Sequence, residues 1–167
     1  MSHPVRPRQR RDVETLCALA REIWRAHYPP IIGADQTEYM LAQRYSPEVI
    51  REELEREDVG WAVLTAADGD IIAYASWLPD EAPGEIRLDK LYVHPAHQRQ
   101  GCGGALIAHV AERARATGAA RLKLAVNKRN ERAIAAYRKH GFEVREAVVK
   151  DIGGGFVMDD YVMEKAL

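Results

Sequence analysis

The N-terminal part of the chain combines a short β-compatible segment with apolar residues at helical spacing. Residues 4–9 contain Pro4 and Pro7, which favours a short edge strand. Six residues then follow on one face of a helix: Val13, Leu16, Ala20, Ile23, Trp24 and His27. We expect Asp12 to be the N-cap of this helix, and Pro29 and Pro30 to end it.

Two shorter helices are predicted before the first long strand. Residues 33–45 form the first, for which Asp35 is the expected N-cap. Residues 46–57 form the second, for which Ser46 is the expected N-cap. Pro47 suits the first helical position, because its fixed φ matches the helix and its missing N–H would have no partner there.

After Gly60 the apolar pattern changes to the short runs and alternation of β-strands. Strands are predicted at 61–66, 71–78, 85–93, 121–126, 142–150 and 156–166, with helices at 104–117 and 130–139. With the N-terminal segment this gives about seven strands, most of them antiparallel. We therefore expect the α/β (α+β) class, with a mixed, mostly antiparallel central sheet, helices on both faces and one domain spanning 1–167.

The predicted strand 85–93 breaks its own alternation. Ile86 and Leu88 are apolar at even positions, whereas Leu91 and Val93 are apolar at odd positions. One extra residue near Asp89 would restore a common face, which predicts a β-bulge that splays the strand. The alternative is a strand buried on both faces, where alternation carries no information.

Charge and composition exclude several classes of protein. The net charge of −1 and the absence of a basic excess beyond residues 6–11 argue against a nucleic-acid partner. No segment resembles a signal peptide or a membrane span, so a cytoplasmic protein without a membrane partner is expected. Cys17 and Cys102 lack the spacing of metal ligands, so we expect free thiols and no metal site.

A glycine-rich loop lies between the strand 85–93 and the helix after it. Gly101, Gly103 and Gly104 allow the backbone N–H groups to turn inward and a ligand to approach closely. The helix N-terminus adds a partial positive charge, and Arg99 adds a full one. Such a loop suits a phosphate group, although a glycine-rich turn without a ligand remains the alternative.

Two common nucleotide motifs do not fit this loop. A P-loop requires Lys and Ser or Thr after the glycines, but Ala105 and Leu106 stand there. A dinucleotide site requires a small residue at position 106 and an acidic residue at the end of the next strand. The strand 121–126 offers none, so both nucleotide interpretations fail.

Two blocks of sequence resemble the GNAT superfamily of acetyl-coenzyme A-dependent N-acetyltransferases. The first is "LYVHPAHQRQGCGGAL", residues 91–106, which is similar to the family motif Q/R-x-x-G-x-G/A. The second is "NERAIAAYRKHGF", residues 130–142. In element order the resemblance covers about residues 4–166. It implies the GNAT fold, acetyl-coenzyme A as cofactor and an amine as acceptor.

The resemblance also implies residues that bind the cofactor. The pyrophosphate would lie on the backbone of Gln98, Arg99, Gln100, Gly101, Cys102, Gly103 and Gly104. The pantetheine arm would pair with the backbone of Leu91, Tyr92 and Val93, which gives the predicted bulge a use. Asn130 would contact the cofactor as well as cap its helix, and Tyr137 would lie near the sulfur. Cys102 departs from the family, which often has a branched apolar residue there, and we interpret it as a small hydrophobe.

Acetyl transfer to an amine needs a base for the ammonium proton and an acid for the departing thiolate. Tyr137 is the candidate acid, and its alternative role is that of a core aromatic residue. Several branches of the family place a glutamate where Arg87 stands here. Glu85 and Asp89, on either side of it, are therefore the candidate bases, with surface carboxylates or a water path as alternatives.

The acceptor would bind between the first helices and the last hairpin. The aromatic residues Trp24, Tyr28, Tyr39 and Tyr161 would line an apolar cleft with an acidic mouth made by Asp35, Glu38, Asp159 and Asp160. Strand periodicity lets only one of the last two aspartates face the cleft. These features favour a small-molecule acceptor, namely a polyamine or a similar small cationic amine. The "MDDY" hairpin, residues 158–161, also resembles the polyamine-acetylating branch of the family. A protein or peptide amine and a non-catalytic acyl-coenzyme A-binding module are the alternatives. The oligomeric state is open, and a homodimer is one alternative.

Overall fold

The computed structural model describes residues 5–7 and 9–167 and contains a seven-stranded sheet. The strands are β1 Val5–Pro7, β2 Gly60–Thr65, β3 Ile71–Pro79, β4 Glu85–Val93, β5 Arg121–Asn127, β6 Glu143–Gly153 and β7 Phe156–Ala166. Their order is β1-β2-β3-β4-β5-β7-β6, and only β4 and β5 run parallel. The predicted mixed, mostly antiparallel sheet is confirmed, while residues 4 and 8 of the predicted edge strand lie outside the described residues.

Helices cover both faces of this sheet, as expected. They are α1 Val13–His27, α2 Pro29–Ile32, α3 Ala34–Tyr45, α4 Pro47–Glu55, α5 Cys102–Ala116 and α6 Glu131–Lys139. α1, α3 and α4 supply one buried cluster, whereas α5 supplies the other. Strand β2 joins both clusters, because Val63 faces the first and Leu64 the second. No helix of residues 5–7 and 9–167 is long and apolar enough to cross a membrane.

Of the three N-caps predicted for α1, α3 and α4, one makes a capping hydrogen bond and two do not. The Ser46 hydroxyl accepts from Val49 N at 3.3 Å, so the N-cap of α4 is confirmed. Asp12 occupies the predicted N-cap position of α1, but its side chain does not cap the helix, because its carboxylate accepts from Gln9 N at 2.7 Å. The predicted cap Asp35 is wrong, because Gly33, with φ of 85°, ends α2 and starts α3 directly.

The predicted bulge in β4 is confirmed by the strand register. Ser76 on β3 pairs with Lys90 and Trp77 pairs with Leu88, so Asp89 has no partner across the ladder. The extra residue brings four apolar side chains into one core: Ile86, Leu88, Leu91 and Val93. Tyr92 lies on the other face, in the second core. The alternative of a strand without a meaningful alternation is therefore wrong.

Strands β4 and β5 separate just beyond the point where they pair. Only residues 85–87 of β4 pair with residues 121–123 of β5. On their other sides, residues 121–127 of β5 pair with β7, and residues 86–88 and 90–93 of β4 pair with β3. The two parallel strands thus diverge from residue 88 onward and leave a gap in the sheet. This gap is the predicted splay, and it opens the cleft described next.

Candidate functional site

The gap between β4 and β5 leads into a cavity of about 450 Å³. The residues predicted for the site that line it are Trp24, Tyr28, Asp89, Leu91, Tyr92, Val93, Gln98, Arg99, Gly101, Cys102, Gly103, Gly104, Asn130, Tyr137 and Asp160. Seven residues predicted for the site or its mouth do not line it: Glu85, Gln100, Asp159, Tyr39, Tyr161, Asp35 and Glu38. One cleft therefore joins the glycine loop, the splayed strand, α6 and the last hairpin.

The glycine loop has the shape of an anion cradle. Arg99 and Gly101 take φ values of 64° and 79°, and left-handed residues of this kind turn successive N–H groups to a concave side. Helix α5 begins at Cys102, so its unbonded N–H groups face the same loop. A Cβ built on Gly101 or Gly103 would meet no atom within 4 Å. The loop therefore has room for a pyrophosphate and the donors to bind it.

The Cys102 thiol is buried and makes a hydrogen bond to the backbone of the loop. Its Sγ lies 3.6 Å from the carbonyl oxygen of His97, to which the thiol donates. Burial raises the pKa of the thiol, which keeps it protonated near pH 7. The interpretation of Cys102 as a small buried hydrophobe agrees with this placement.

The splayed part of β4 suits an extended ligand. Leu91, Tyr92 and Val93 pair with β3 on one side. On the side of β5, no described residue continues the ladder past Arg87. An extended chain with amide groups can add to such an edge as if it were another strand. The two amides of a pantetheine arm fit this requirement, so the residues present fit coenzyme A.

Asn130 occupies the N-cap position of α6 but does not cap it. Its side chain makes no capping hydrogen bond. Instead, Asn130 Oδ1 lies 3.1 Å from His27 Nε2, at the end of α1. The expected ordinary N-cap is therefore wrong, because a residue distant in sequence occupies the oxygen. Asn130 is 5% exposed and lines the cleft.

Tyr137 lies on the cleft side of α6. Its ring packs edge-on against Phe142, with centroids 5.6 Å apart. Among the described residues its hydroxyl has no hydrogen-bond partner, and burial raises the pKa of this hydroxyl above its usual value. The hydroxyl therefore keeps its proton at neutral pH and is free to donate it within the cleft. Packing and proton donation are compatible at this position.

Glu85 does not have the surroundings of a base. It lies on the paired part of β4, outside the cleft, and its carboxylate contacts Lys123 Nζ at 2.7 Å and Arg145 Nη1 at 3.5 Å. The hydrogen bond from Lys123 lowers the pKa of Glu85. This carboxylate stabilises the β4–β5 junction instead, so we withdraw it as a catalytic candidate.

Asp89 lines the cleft but holds a proton too weakly to act as a base. Burial opposes its ionisation, but Arg44 and Lys90 outweigh this effect and lower its pKa to about 2. Its carboxylate lies 2.7 Å from Lys90 Nζ and 3.4 Å from Arg44 Nη2. Asp89 therefore acts as an anchor for two cations, one of which, Arg44, also lines the cleft.

The two aspartates of β7 differ as strand periodicity requires. Asp159 points outward and pairs with Lys128 at 2.7 Å. Asp160 lines the cleft and is only 4% exposed, and among the described residues its carboxylate has no hydrogen-bond or ion-pair partner. Burial raises its pKa to about 6, with a smaller contribution in the same direction from Asp159. Asp160 is thus a buried carboxylate without a partner.

The remaining residues expected at the mouth lie elsewhere. Glu38 is exposed and paired with Arg25 at 2.7 Å, and Asp35 is exposed outside the cleft. The Tyr39 hydroxyl donates to the carbonyl oxygen of Ile152, and neither Tyr39 nor Tyr161 lines the cleft. The aromatic wall consists instead of Trp24, Tyr28 and Tyr92, and the last two share a hydrogen bond of 3.0 Å.

The cleft residues that sequence reasoning missed include His27 and Arg44. The signal for His27 was available, because it is the one polar member of the apolar stripe of α1. Arg44 gave no such signal, because an arginine near a helix end is commonly a solvated residue that favours the helix dipole.

Comparison with known proteins identifies the family of this chain. A family model described as "Acetyltransferase (GNAT) family" matches residues 16–142. An uncharacterized N-acetyltransferase of Mycobacterium tuberculosis is 31% identical over 157 residues, which cover 93% of this chain and 98% of the relative. A spermidine N(1)-acetyltransferase of Thermoplasma acidophilum is 26% identical over 168 residues, covering 99% and 98% of the two chains.

The fold comparison adds a structure with a bound cofactor. The crystal structure of the PaiA N-acetyltransferase from Thermoplasma acidophilum in complex with coenzyme A superposes with a TM-score of 0.85. The two chains are 26% identical, and the match covers 100% of each. A glycine loop at a helix N-terminus, a splayed strand and a family match over most of the chain all agree. This chain belongs to the GNAT family and is an acetyl-coenzyme A-dependent N-acetyltransferase.

Proposed function

We propose that the acceptor is a small cationic amine, with polyamines as the favoured class. The observation that carries this proposal is Asp160, a buried carboxylate in the cleft without a partner. A buried charge of this kind is costly unless a ligand or a proton compensates it. An ammonium group on the acceptor would supply both the opposite charge and the hydrogen bonds. The relative named as a spermidine acetyltransferase supports the same class.

The surroundings of Asp160 favour a cation over an anion. Asp89 and Arg44 are already paired and their charges cancel locally. Asp160 then leaves one negative charge at the acceptor end of the cleft when it is ionised. Trp24 and Tyr28 supply aromatic faces there, and such faces attract ammonium groups.

The residues of the cleft can assist direct transfer to the amine. Bound acetyl-coenzyme A supplies the acetyl group and the thiolate that leaves. Asp160 receives the ammonium proton. Its pKa of about 6 is closer to the pKa of the amine than that of an ordinary carboxylate, which makes it the better proton acceptor. Backbone N–H groups near the bulge donate to the oxyanion as the amine nitrogen bonds to the acetyl carbon. Tyr137 would donate its proton to the sulfur when the carbon–sulfur bond breaks. The second proton lost by the amine nitrogen, as it becomes the amide, would restore the Tyr137 hydroxyl.

The matched pair Asp160→Asn and Asp159→Asn tests the acceptor. We expect Asp160→Asn to raise KM for spermidine about tenfold and to flatten its dependence on salt, because the attracting charge is removed. Asp159→Asn should change KM by less than about twofold, because Lys128 already neutralises Asp159. The measurement is steady-state thiol release at low and moderate salt. Activity of the unmodified enzyme on neutral or anionic amines but not on spermidine would refute the polyamine class.

The pH profile gives an independent check. The charged groups nearest to Asp160 are Arg44, Asp159, Lys128 and Lys150. Because the carboxylate is ionised only above its pKa of about 6, kcat/KM should fall about tenfold for each pH unit below 6. Asp160→Asn should lose this acid limb, while Asp159→Asn should keep it. An acid limb that persists unchanged in Asp160→Asn would assign it to another group.

A further inference from the structure

One side-chain hydrogen bond joins the end of α1 to the start of α6 across the cleft. His27 Nε2 lies 3.1 Å from Asn130 Oδ1, although the residues are 103 positions apart. Both residues line the cleft, with His27 half-buried and Asn130 buried. An asparagine at an N-cap ordinarily uses this oxygen to bind the first N–H groups of its helix. Here α6 has no side-chain capping hydrogen bond, because Asn130 Oδ1 accepts from His27 instead.

This contact fixes both the histidine and the amide. The Oδ1 atom can only accept, so His27 must carry a proton on Nε2. Burial lowers the pKa of His27, and the nearby Arg132 acts in the same direction against the hydrogen bond to Asn130. The ring is therefore neutral near pH 7, with Nε2 as its donor. With Oδ1 occupied, the Asn130 amide presents its NH₂ group, which has no partner among the described residues.

We infer that His27 is a positioning residue for coenzyme A. It holds the Asn130 amide so that Nδ2–H donates to a carbonyl oxygen of the pantetheine arm. The position of Asn130 supports the arm as the target, because the residue follows the end of β5, across the gap from β4. The loop 98–104 would hold the pyrophosphate separately, through its backbone N–H groups. This inference rests on the cofactor site and not on the identity of the acceptor.

Two ligands separate this role from a general effect on the fold. Coenzyme A contains the pantetheine arm, whereas adenosine 3′,5′-bisphosphate lacks it. We expect His27→Leu to weaken coenzyme A about fivefold to tenfold by calorimetry, with affinity for the bisphosphate unchanged. His27→Gln should bind coenzyme A within about twofold of the unmodified protein, because its side chain retains an N–H donor. Asn130→Ala should match His27→Leu, and the double variant should be no weaker than Asn130→Ala alone.

His109→Leu is the matched control. His109 is also a half-buried histidine against an aromatic ring, Trp77, but it lies outside the cleft. This variant should bind both ligands as the unmodified protein does. The inference is overturned if His27→Leu binds coenzyme A normally, if it weakens both ligands equally, or if its effect adds to that of Asn130→Ala. Failure of spermidine turnover would leave these binding results unaffected.

Discussion

Gly103→Glu is expected to raise the Kd for coenzyme A by at least about a hundredfold while the fold is retained. Gly103 lies in the first turn of α5, and a Cβ there would meet no atom within 4 Å. The new side chain therefore enters the open cradle without displacing protein atoms. Its carboxylate would occupy the pyrophosphate position and repel the phosphates. Calorimetry with coenzyme A measures the loss, and circular dichroism melting checks the fold.

Ala105→Glu is the control for this result. Ala105 is exposed two residues further along the same helix and does not line the cleft. Glutamate there adds the same charge to the same turn but points into solvent, so Kd should change by no more than about threefold. If both variants lose binding equally, a general charge effect is responsible. If Gly103→Glu binds normally, the loop is not the phosphate site.

The glycine loop and the bulge in β4 were predictable from the sequence. The first depends on local residue types, and the second depends on whether apolar residues fall at even or odd positions. Glycines at three of four positions, followed by a helix, dictate a loop with inward N–H groups whatever surrounds it. The switch from even to odd apolar positions in β4 requires an extra residue, and the register places it at Asp89. Neither inference needs the identity of a distant neighbour. Both therefore held when the strands were assembled into the sheet.

The side-chain hydrogen bonds of Asn130 and Asp12 were not predictable, because donors outside the helix that each residue precedes compete for their oxygen atoms. Asn130 satisfies every local rule for an N-cap, but His27 occupies its oxygen across 103 residues of sequence. Asp12 likewise turns to Gln9 N and to Arg6, which contacts it at 3.0 Å. Local propensity favours a residue type at a position, but it does not show which donor the side-chain oxygen binds in the folded protein.

The choice among carboxylates also depended on neighbours that the sequence does not reveal. Arg87 stands where several branches of the family place a glutamate base. From the sequence alone, Glu85 and Asp89, on either side of it, are equally good candidates for that base. Their cationic partners come from β5 and α3, and these partners make both carboxylates poor proton acceptors. Strand periodicity predicts that only one of Asp159 and Asp160 faces the cleft, but it does not say which one. That Asp160 is buried and unpaired follows only from the packing of the hairpin against the cleft.

Tyr137→Phe is expected to lower kcat roughly tenfold to a thousandfold. The substitution keeps the ring against Phe142 and removes only the hydroxyl that faces the cleft. The effect is bounded because a thiol with a pKa near 8.5 leaves fairly well as a thiolate, so an acid assists the step without being indispensable. Affinity for coenzyme A should change by less than about twofold, because backbone groups supply most of that binding. Steady-state kinetics and calorimetry together separate the two quantities.

Tyr39→Phe provides the matched control, because it removes a hydroxyl whose hydrogen bond to Ile152 lies outside the cleft. That variant should keep kcat within about twofold, although it loses a hydrogen bond and some stability. Because burial raises the pKa of Tyr137, the hydroxyl stays protonated at working pH and kcat should show no alkaline limb from it below pH 10. A Tyr137→Phe enzyme with unchanged kcat would leave Tyr137 as a core residue alone. A loss of kcat confined to Tyr137→Phe, with coenzyme A still bound, would identify its hydroxyl as the group that protonates the leaving thiolate.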